Sequence, residues 1–290
     1  MKDDLPLISI VIANYNYGRF LEHAIQSVLR QCDEDMRLPT GEGIELIIVD
    51  GGSTDNSVEI IKKYQDRLVW WCSEKDKGQS QAFNKGFAHA SGTFLTWLNA
   101  DDVILPGGLS AVAREMGAHP QCKWFIGSTL WLDESLRIVR CFRAHRFSVI
   151  RARWGALSAG GPSSFFEKAL FLRLGAVDED LHFLMDIELW SRLYFLGKVK
   201  YLRTTKYVWG YRIHKDSKMS GSDVAPDNEN NQINRIAADR EEQIILKRYG
   251  KKKGEGLVVK CCSVSIVDWV ICFIENSKKR GRFVFESEIV

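Results

Sequence analysis

From residue 7 to about residue 130, short apolar runs alternate with longer segments whose apolar residues recur at helical spacing. That alternation predicts βαβ units and a mainly parallel sheet. Leu7–Ala13 (LISIVIA) reads as a buried strand, and in the following RFLEHAIQSVLRQ the residues Leu21, Ile25, Val28 and Leu29 share one helical face. A polar, glycine-bearing connector around 39–43 leads to a second strand, Ile44–Asp50. The turn GGSTDN then opens a helix carrying Val58, Ile61 and Tyr64, with Ser53 or Thr54 as its expected N-cap. LVWWCSE is the third strand, SQAFNKGFAHA the next helix and GTFLTWLN the fourth strand. Further on the order is less regular, with strands near Lys123–Leu132 and Ser163–Phe166. A helix from about Asp186 to Leu196 turns Leu189, Trp190 and Leu193 inward, and RYGKKKGEG reads as a boundary before a tail helix.

The chain's 290 residues, 45% hydrophobic and 11% aromatic, suit a packed globular protein of one large domain with an appendage. Forty basic and 37 acidic residues leave a formal charge of +3, too balanced for a nucleic-acid partner on charge alone. The seven cysteines include no CxxC pair, and Cys261 and Cys262 have no partners at zinc-finger spacing, so mostly buried thiols in a reducing cytoplasm are expected. The N-terminus, with two acids and Pro6 around a short apolar run, does not read as a signal peptide. The apolar stretch Leu257–Ile274 is interrupted by Lys260 and Asp268 and does not read as a membrane span.

The fourth strand ends in WLNADD, where an apolar run meets two adjacent acids, Asp101 and Asp102. Like charges there resist burial unless something compensates them. Ligands of open parallel sheets bind beyond the carboxyl ends of the strands. The chain places Asn14–Asn16, Asp50, Glu74 with Asp76, and Asp101 with Asp102 at successive ends. Any one of these acids suits a helix cap or solvated turn; together they point to one crevice. ANYNYGR carries no GxGxxG turn, and no P-loop is present. A diphosphate can instead be bound through a divalent cation, since Mg²⁺ and Mn²⁺ take one or two carboxylates with water and phosphate oxygens.

The segments SIVIANYNYGRFLEHAIQSVLRQ, ELIIVDGGSTDNSVEIIKKY, SEKDKGQSQAFNKGFAHASGTFLTWLNADD and VDEDLHFLMDIELWSRL resemble the family 2 glycosyltransferases, over about residues 6–215. The wording is similar to a bacterial branch acting in surface-polysaccharide assembly. The resemblance implies an α/β GT-A fold: a mainly parallel nucleotide-binding sheet flanked by helices, merged with an acceptor-binding half. The implied division is about 1–105 for the nucleotide-sugar half, 106–220 for the acceptor half, and 221–290 for a C-terminal helical extension. It implies inverting transfer from a nucleotide-diphosphate sugar, UDP-linked by expectation, to a glycan or lipid-linked saccharide, with Mn²⁺ or Mg²⁺ as cofactor. Position by position, Ala13 and Tyr15 would line a base pocket, and Asp50 would accept a hydrogen bond from a uracil-like ring. Lys77, Gly78 and Asn84 would lie near the nucleotide. Asp101 and Asp102 match the DXD-type motif, with Asp102 the better direct metal ligand, and His214 matches a position that helps hold metal or diphosphate. Asp186 matches the catalytic base.

Chemistry supports the last role independently: a carboxylate must take the proton of the attacking hydroxyl, which is worth about 10²–10⁴-fold. A residue opening a helix also gains from the dipole, and a plain N-cap explains the same position. His214 equally suits a packing residue, Arg192 and Trp190 suit packing and a local ion pair, and the glycines of AGGPSSFF suit an ordinary turn. Phe83 stands where many members carry Arg. Met185 replaces an acid that often precedes the base, which leaves Asp186 without that neighbour. Two rivals are a nucleotidyltransferase, for which NYNYGR is a poor opening loop, and a non-catalytic sugar or nucleotide binder. The tail's apolar helix between basic clusters suits docking on the parent domain, a homodimer contact, or peripheral contact with the inner face of the cytoplasmic membrane.

Overall fold

The computed structural model describes residues 7–144, 163–217, 229–249 and 282, with the backbone alone described at 229–235. The nucleotide-side elements are β1 (Ile8–Asn14), α1 (Gly18–Leu29), β2 (Ile44–Asp50), α2 (Ser57–Lys63), β3 (Trp70–Ser73), α3 (Gln79–His89) and β4 (Phe94–Asn99). After them come β5 (Val103–Ile104), α4 (Gly108–Ala118), β6 (Trp124–Leu132), β7 (Ile138–Phe142), β8 (Ser164–Glu167), α5 (Lys168–Leu174), α6 (Met185–Phe195), β9 (Tyr201–Arg212) and α7 (Glu229–Tyr249).

The strands form one mixed sheet in the order β3-β2-β1-β4-β8-β6-β9-β5, with β7 added beside β6. Strands β3, β2, β1 and β4 run parallel, as the βαβ pattern predicts. The inner strands β2, β1 and β4 are mostly apolar because both faces are covered, with Ser9, Glu45 and Thr96 as buried polar members. Ile8, Ile10 and Ile12 of β1, with Leu46 and Ile48 of β2, face the core shared with α1 and α4. Val11, Ile47 and Val49 face the second core, under α3, α5 and α6. Gly86 lets α3 lie on β1: a Cβ there would stand 2.3 Å from Val11 Cγ1. This is the GT-A arrangement expected of the sequence.

The structure departs from the sequence reading in three places. Helix α2 starts at Ser57 behind Asn56, not at a cap from Ser53 or Thr54, because Ser53 is engaged by Asp50. Asp101 and Asp102 lie in a turn after β4 rather than on the strand, with the Asp102 amide bonded to the Asn99 carbonyl at 3.1 Å. The irregular half contains β5, β7, β9, α4 and α5, whose short or mixed patterns gave no clear period. Strand β9 runs parallel to β6 and antiparallel to β5, pairing Val103 with Gly210 and Ile104 with Trp209. A Cβ at Gly210 would lie 2.5 Å from Leu132 Cδ1 and 2.7 Å from Val103 Cγ2, so this crossing requires glycine's absent side chain.

Among the described residues no helix is long and apolar enough to cross a membrane. The boundary at 250–256, the tail helix at 257–274, Cys261 and Cys262 lie outside them, as do residues 159–162 of AGGPSSFF. Cys32, Cys72 and Cys122 are free thiols.

Candidate active site

The carboxyl ends of β1, β2 and β3 meet at Asp50. Its wholly buried carboxylate accepts from Asn14 Nδ2 (2.6 Å), Ser53 N (2.9 Å), Ser53 Oγ (2.5 Å) and Ser73 Oγ (2.6 Å). Ser53 Oγ in turn accepts the Asn16 amide at 2.8 Å, while Asn16, at φ +56°, accepts the Thr54 amide at 2.8 Å. Asp50 is therefore the hub of the first two turns, its charge matched by four donors. Ala13 sits half-buried beside this hub, and Tyr15 stands 59% exposed on the rim.

The acid pair after β4 divides. Asp102 is wholly buried and accepts from Arg212 N at 2.9 Å, Asn99 Nδ2 at 3.0 Å and Trp209 Nε1 at 3.2 Å. Burial, and then the charge of Asp101, push its proton affinity well above the usual carboxylate range; the three donors work against them. Asp101 reaches the cleft, where its Oδ2 lies 3.0 Å from His214 Nε2. His214 Nδ1 accepts the Asp216 amide at 3.3 Å, so Nε2 carries the proton and donates to Asp101. The ring is enclosed by Phe20 and Tyr17, with centroids 4.7 and 5.6 Å away. Pairing of β5 with β9 is what brings Trp209, Arg212 and His214 onto the acids.

Arg212 supplies the compensating charge. Its guanidinium is buried 4.7 Å from the Phe20 ring centroid, within the field of both Asp102 and Asp101. Burial lowers its pKa and the two acids raise it. Nε and Nη2 have no hydrogen-bond partner, leaving buried donors beside the cleft.

Among the described residues no cluster of three or more His, Cys, Asp or Glu forms a complete metal cage. Asp101 nevertheless fits a hard divalent cation that keeps water and phosphate oxygens as its other ligands. His214 Nε2 would be open to a cation only after the Asp216 amide releases Nδ1 to take the proton.

Asp186 is the second residue of α6, not its N-cap, and no side-chain bond caps that helix from Leu184. Its Oδ1 accepts the Ile187 amide at 2.7 Å. Burial pushes its pKa up to about 6, two backbone amides oppose the rise, and the charge of Glu241 on α7 adds to it. The Tyr211 phenol is held protonated by burial first, and then by the charges of Asp102, Asp101 and Asp186.

Gly78, at φ +123°, precedes α3, with His182 Nδ1 3.5 Å from where a Cβ would stand. Lys77 is exposed beside it, its amide bonded to Gln81 Oε1 at 2.9 Å. Asn84 commits its amide to Val177 N and O (2.9 Å each) and Glu179 Oε1 (2.9 Å), bracing α3 against the loop before α6. Arg192 and Trp190 face inward, Arg192 bonding Glu188 Oε2 at 2.6 Å. The sequence reading missed Arg212, Tyr211, Ser53 and Glu241. The first two share a segment with His214, which was the available signal; Glu241, one acid among DREE, offered none.

The fold defines a class, a GT-A domain, with Asp101 and Asp102 after β4 and Asp186 near the start of α6. Residues 9–128 match the model of glycosyl transferase family 2. The chain is 43% identical over 110 residues to the uncharacterized glycosyltransferase alr2836 of Nostoc sp., covering 37% of this chain but 32% of that protein. S. aureus TarS 1-349, solved in complex with UDP-GlcNAc, shares the fold with a TM-score of 0.60 at 16% identity, over 93% of this chain and 81% of that one. So does the mannosyltransferase PcManGT of Pyrobaculum calidifontis, solved with GDP-Man and Mn²⁺, with a TM-score of 0.55 at 13% identity, over 94% and 87%.

Proposed function

We propose that this protein is an inverting, divalent-cation-assisted glycosyltransferase. It would move a sugar from a nucleotide-diphosphate sugar, UDP-linked by first choice, to a hydroxyl of a glycan or lipid-linked saccharide in polysaccharide assembly. The observation that carries this is the Asp101–His214 pair beyond the end of β4, in a fold whose α6 carries Asp186, a carboxyl that burial pushes up to about 6. At neutral pH Asp186 is ionised yet more basic than an ordinary Asp, which suits removal of a hydroxyl proton as that oxygen attacks. Asp101, rather than the enclosed Asp102, faces the cation, with His214 holding it in place. Mn²⁺ or Mg²⁺, when bound, supplies neutralisation of the charge on the leaving diphosphate. Arg212 adds a fixed positive field behind the acids. Asp50, with its four donors, acts on the base pocket by shaping the turns around Ala13 and Tyr15. Lys77 and Gly78 border the donor side, and Asn84 steadies the loop opposite.

The fold relatives with UDP-GlcNAc and with GDP-Man name the donors to try first. The experiment is nucleotide release from a panel of UDP-, GDP- and dTDP-sugars with Mn²⁺, comparing wild type with Asp101→Ala and Asp186→Asn. Release from one donor, abolished by Asp101→Ala and reduced by Asp186→Asn, is the expected result. Pyrophosphate release from a nucleoside triphosphate and a sugar phosphate would replace this reading with a nucleotidyltransferase.

A further inference from the structure

Helix α6 carries Asp186 but has no cap of its own. Three successive amides in front of it, those of His182, Phe183 and Leu184, point to one carboxylate on another element: Glu241 of α7, at 2.7, 2.9 and 2.8 Å. Glu241 is only 7% exposed, so these are charge-assisted bonds in a largely dry setting. The same segment is held from the donor side, where Ser80 Oγ of α3 donates to the Leu181 carbonyl at 2.6 Å. Residues 181–184 are therefore gripped between two elements, with Asp186 two residues further on.

Helix α7 is itself fixed. Ile245 is buried against the second core, Tyr249 donates to Glu188 Oε1 at 2.6 Å, and Arg248 pairs with Asp178 at 2.6 Å. We infer that Glu241 is the positioning residue of the base, fixing the backbone from which Asp186 springs and setting a negative charge beside it. The inference rests on the reading of Asp186 as the base. A carboxylate seated on the amides just ahead of α6 sets a negative charge near the positive end of that helix, which would otherwise favour ionised Asp186. Its own charge acts in the same direction. The other titratable groups near Asp186 are His182 in the gripped segment, Tyr211 on β9, which stays neutral, and Glu188 two residues along α6, which is paired with Arg192.

The test needs no known donor for its first readout. In ¹³C-aspartate-labelled full-length protein, the Asp186 carboxyl resonance is assigned by its loss in Asp186→Asn and then titrated. The wild-type midpoint is expected near 6. In Glu241→Gln, which keeps the shape and loses the charge, the midpoint should fall. Glu241→Asp keeps the charge with a shorter reach and should leave the midpoint raised. Turnover of whichever UDP- or GDP-sugar is active should drop about 10–100-fold in both variants with donor KM little changed, as expected for a misplaced group. The acid limb of the rate profile should move to lower pH only in Glu241→Gln. An unchanged midpoint and unchanged turnover in a folded Glu241→Gln protein would overturn the inference. Wild-type turnover in Asp186→Asn would instead remove the base reading and leave the cap a structural one.

Discussion

Asp101 and Asp102 are chemically identical neighbours placed in opposite surroundings. One is enclosed among an indole, an amide side chain and a backbone N–H, while the other reaches the crevice. The buried cation of Arg212 offsets the repulsion that the pair would otherwise suffer. For Asp186 the energetics predict two effects of replacement by Asn. Turnover should fall about 10²–10⁴-fold, the usual worth of a general base, measured with donor binding as the control. Stability should move the other way. Because the folded-state pKa is raised to about 6 from 3.8, the wild type carries a penalty that is absent below about pH 4 and complete above pH 6. Asp186→Asn should therefore be more stable than wild type at pH 8, by about 2 kcal/mol, and indistinguishable at pH 3.5 in urea titrations. Asp50→Ala has the opposite sign: it leaves buried donors unpaired at three strand ends and should cost about 3 kcal/mol at pH 7.

At the scale of elements, the surroundings of Asp101 and Asp102 depend on strand β9. Its pairing with β5 and β6 brings Trp209, Tyr211, Arg212 and the His214 loop to the acids in a single register. Gly210 sits at the tightest point of that crossing. Gly210→Ala should cost about 1–3 kcal/mol by overpacking, seen as a lower melting temperature. It should also weaken Mn²⁺ binding, because the strand that must shift carries His214. Gly86→Ala, on the far side of β1 from this crossing, tests the same steric argument without touching the cation site.

For the whole molecule, the C-terminal part cannot be treated as a separable appendage up to residue 249, because α7 supplies the cap and buries Ile245 against the catalytic half. Ile245→Ala should cost about 2–4 kcal/mol. Binding should be legible globally as well. Mn²⁺ with UDP at about 100 times its dissociation constant should stabilise the wild type by about 2.7 kcal/mol, a shift that Asp101→Ala should lose in thermal melts. Contact of the tail with the inner face of the cytoplasmic membrane is a proposal tested by flotation with anionic liposomes; equal behaviour of full-length and 1–250 proteins would remove it.

The nucleotide-side half was legible because its strands and helices follow one another along the chain, and each announces itself by local period. The β2 bounds Ile44–Asp50 coincide with those read from the apolar run. The acids at strand ends were legible for the same reason, since a strand's end is a local event. What the sequence could not decide was which acid turns inward. That depends on an amide 110 residues further along the chain, brought beside Asp102 by β9. Nor could it show that the lone carboxylate after Met185 gains an acidic neighbour from 55 residues downstream, because local periodicity carries no information on where the chain returns. The sequence by itself determined the parallel sheet and the strand ends at which its acids gather. Only the tertiary structure assigned burial, partners and charge balance to each of those acids, since these arise where distant segments exclude water together.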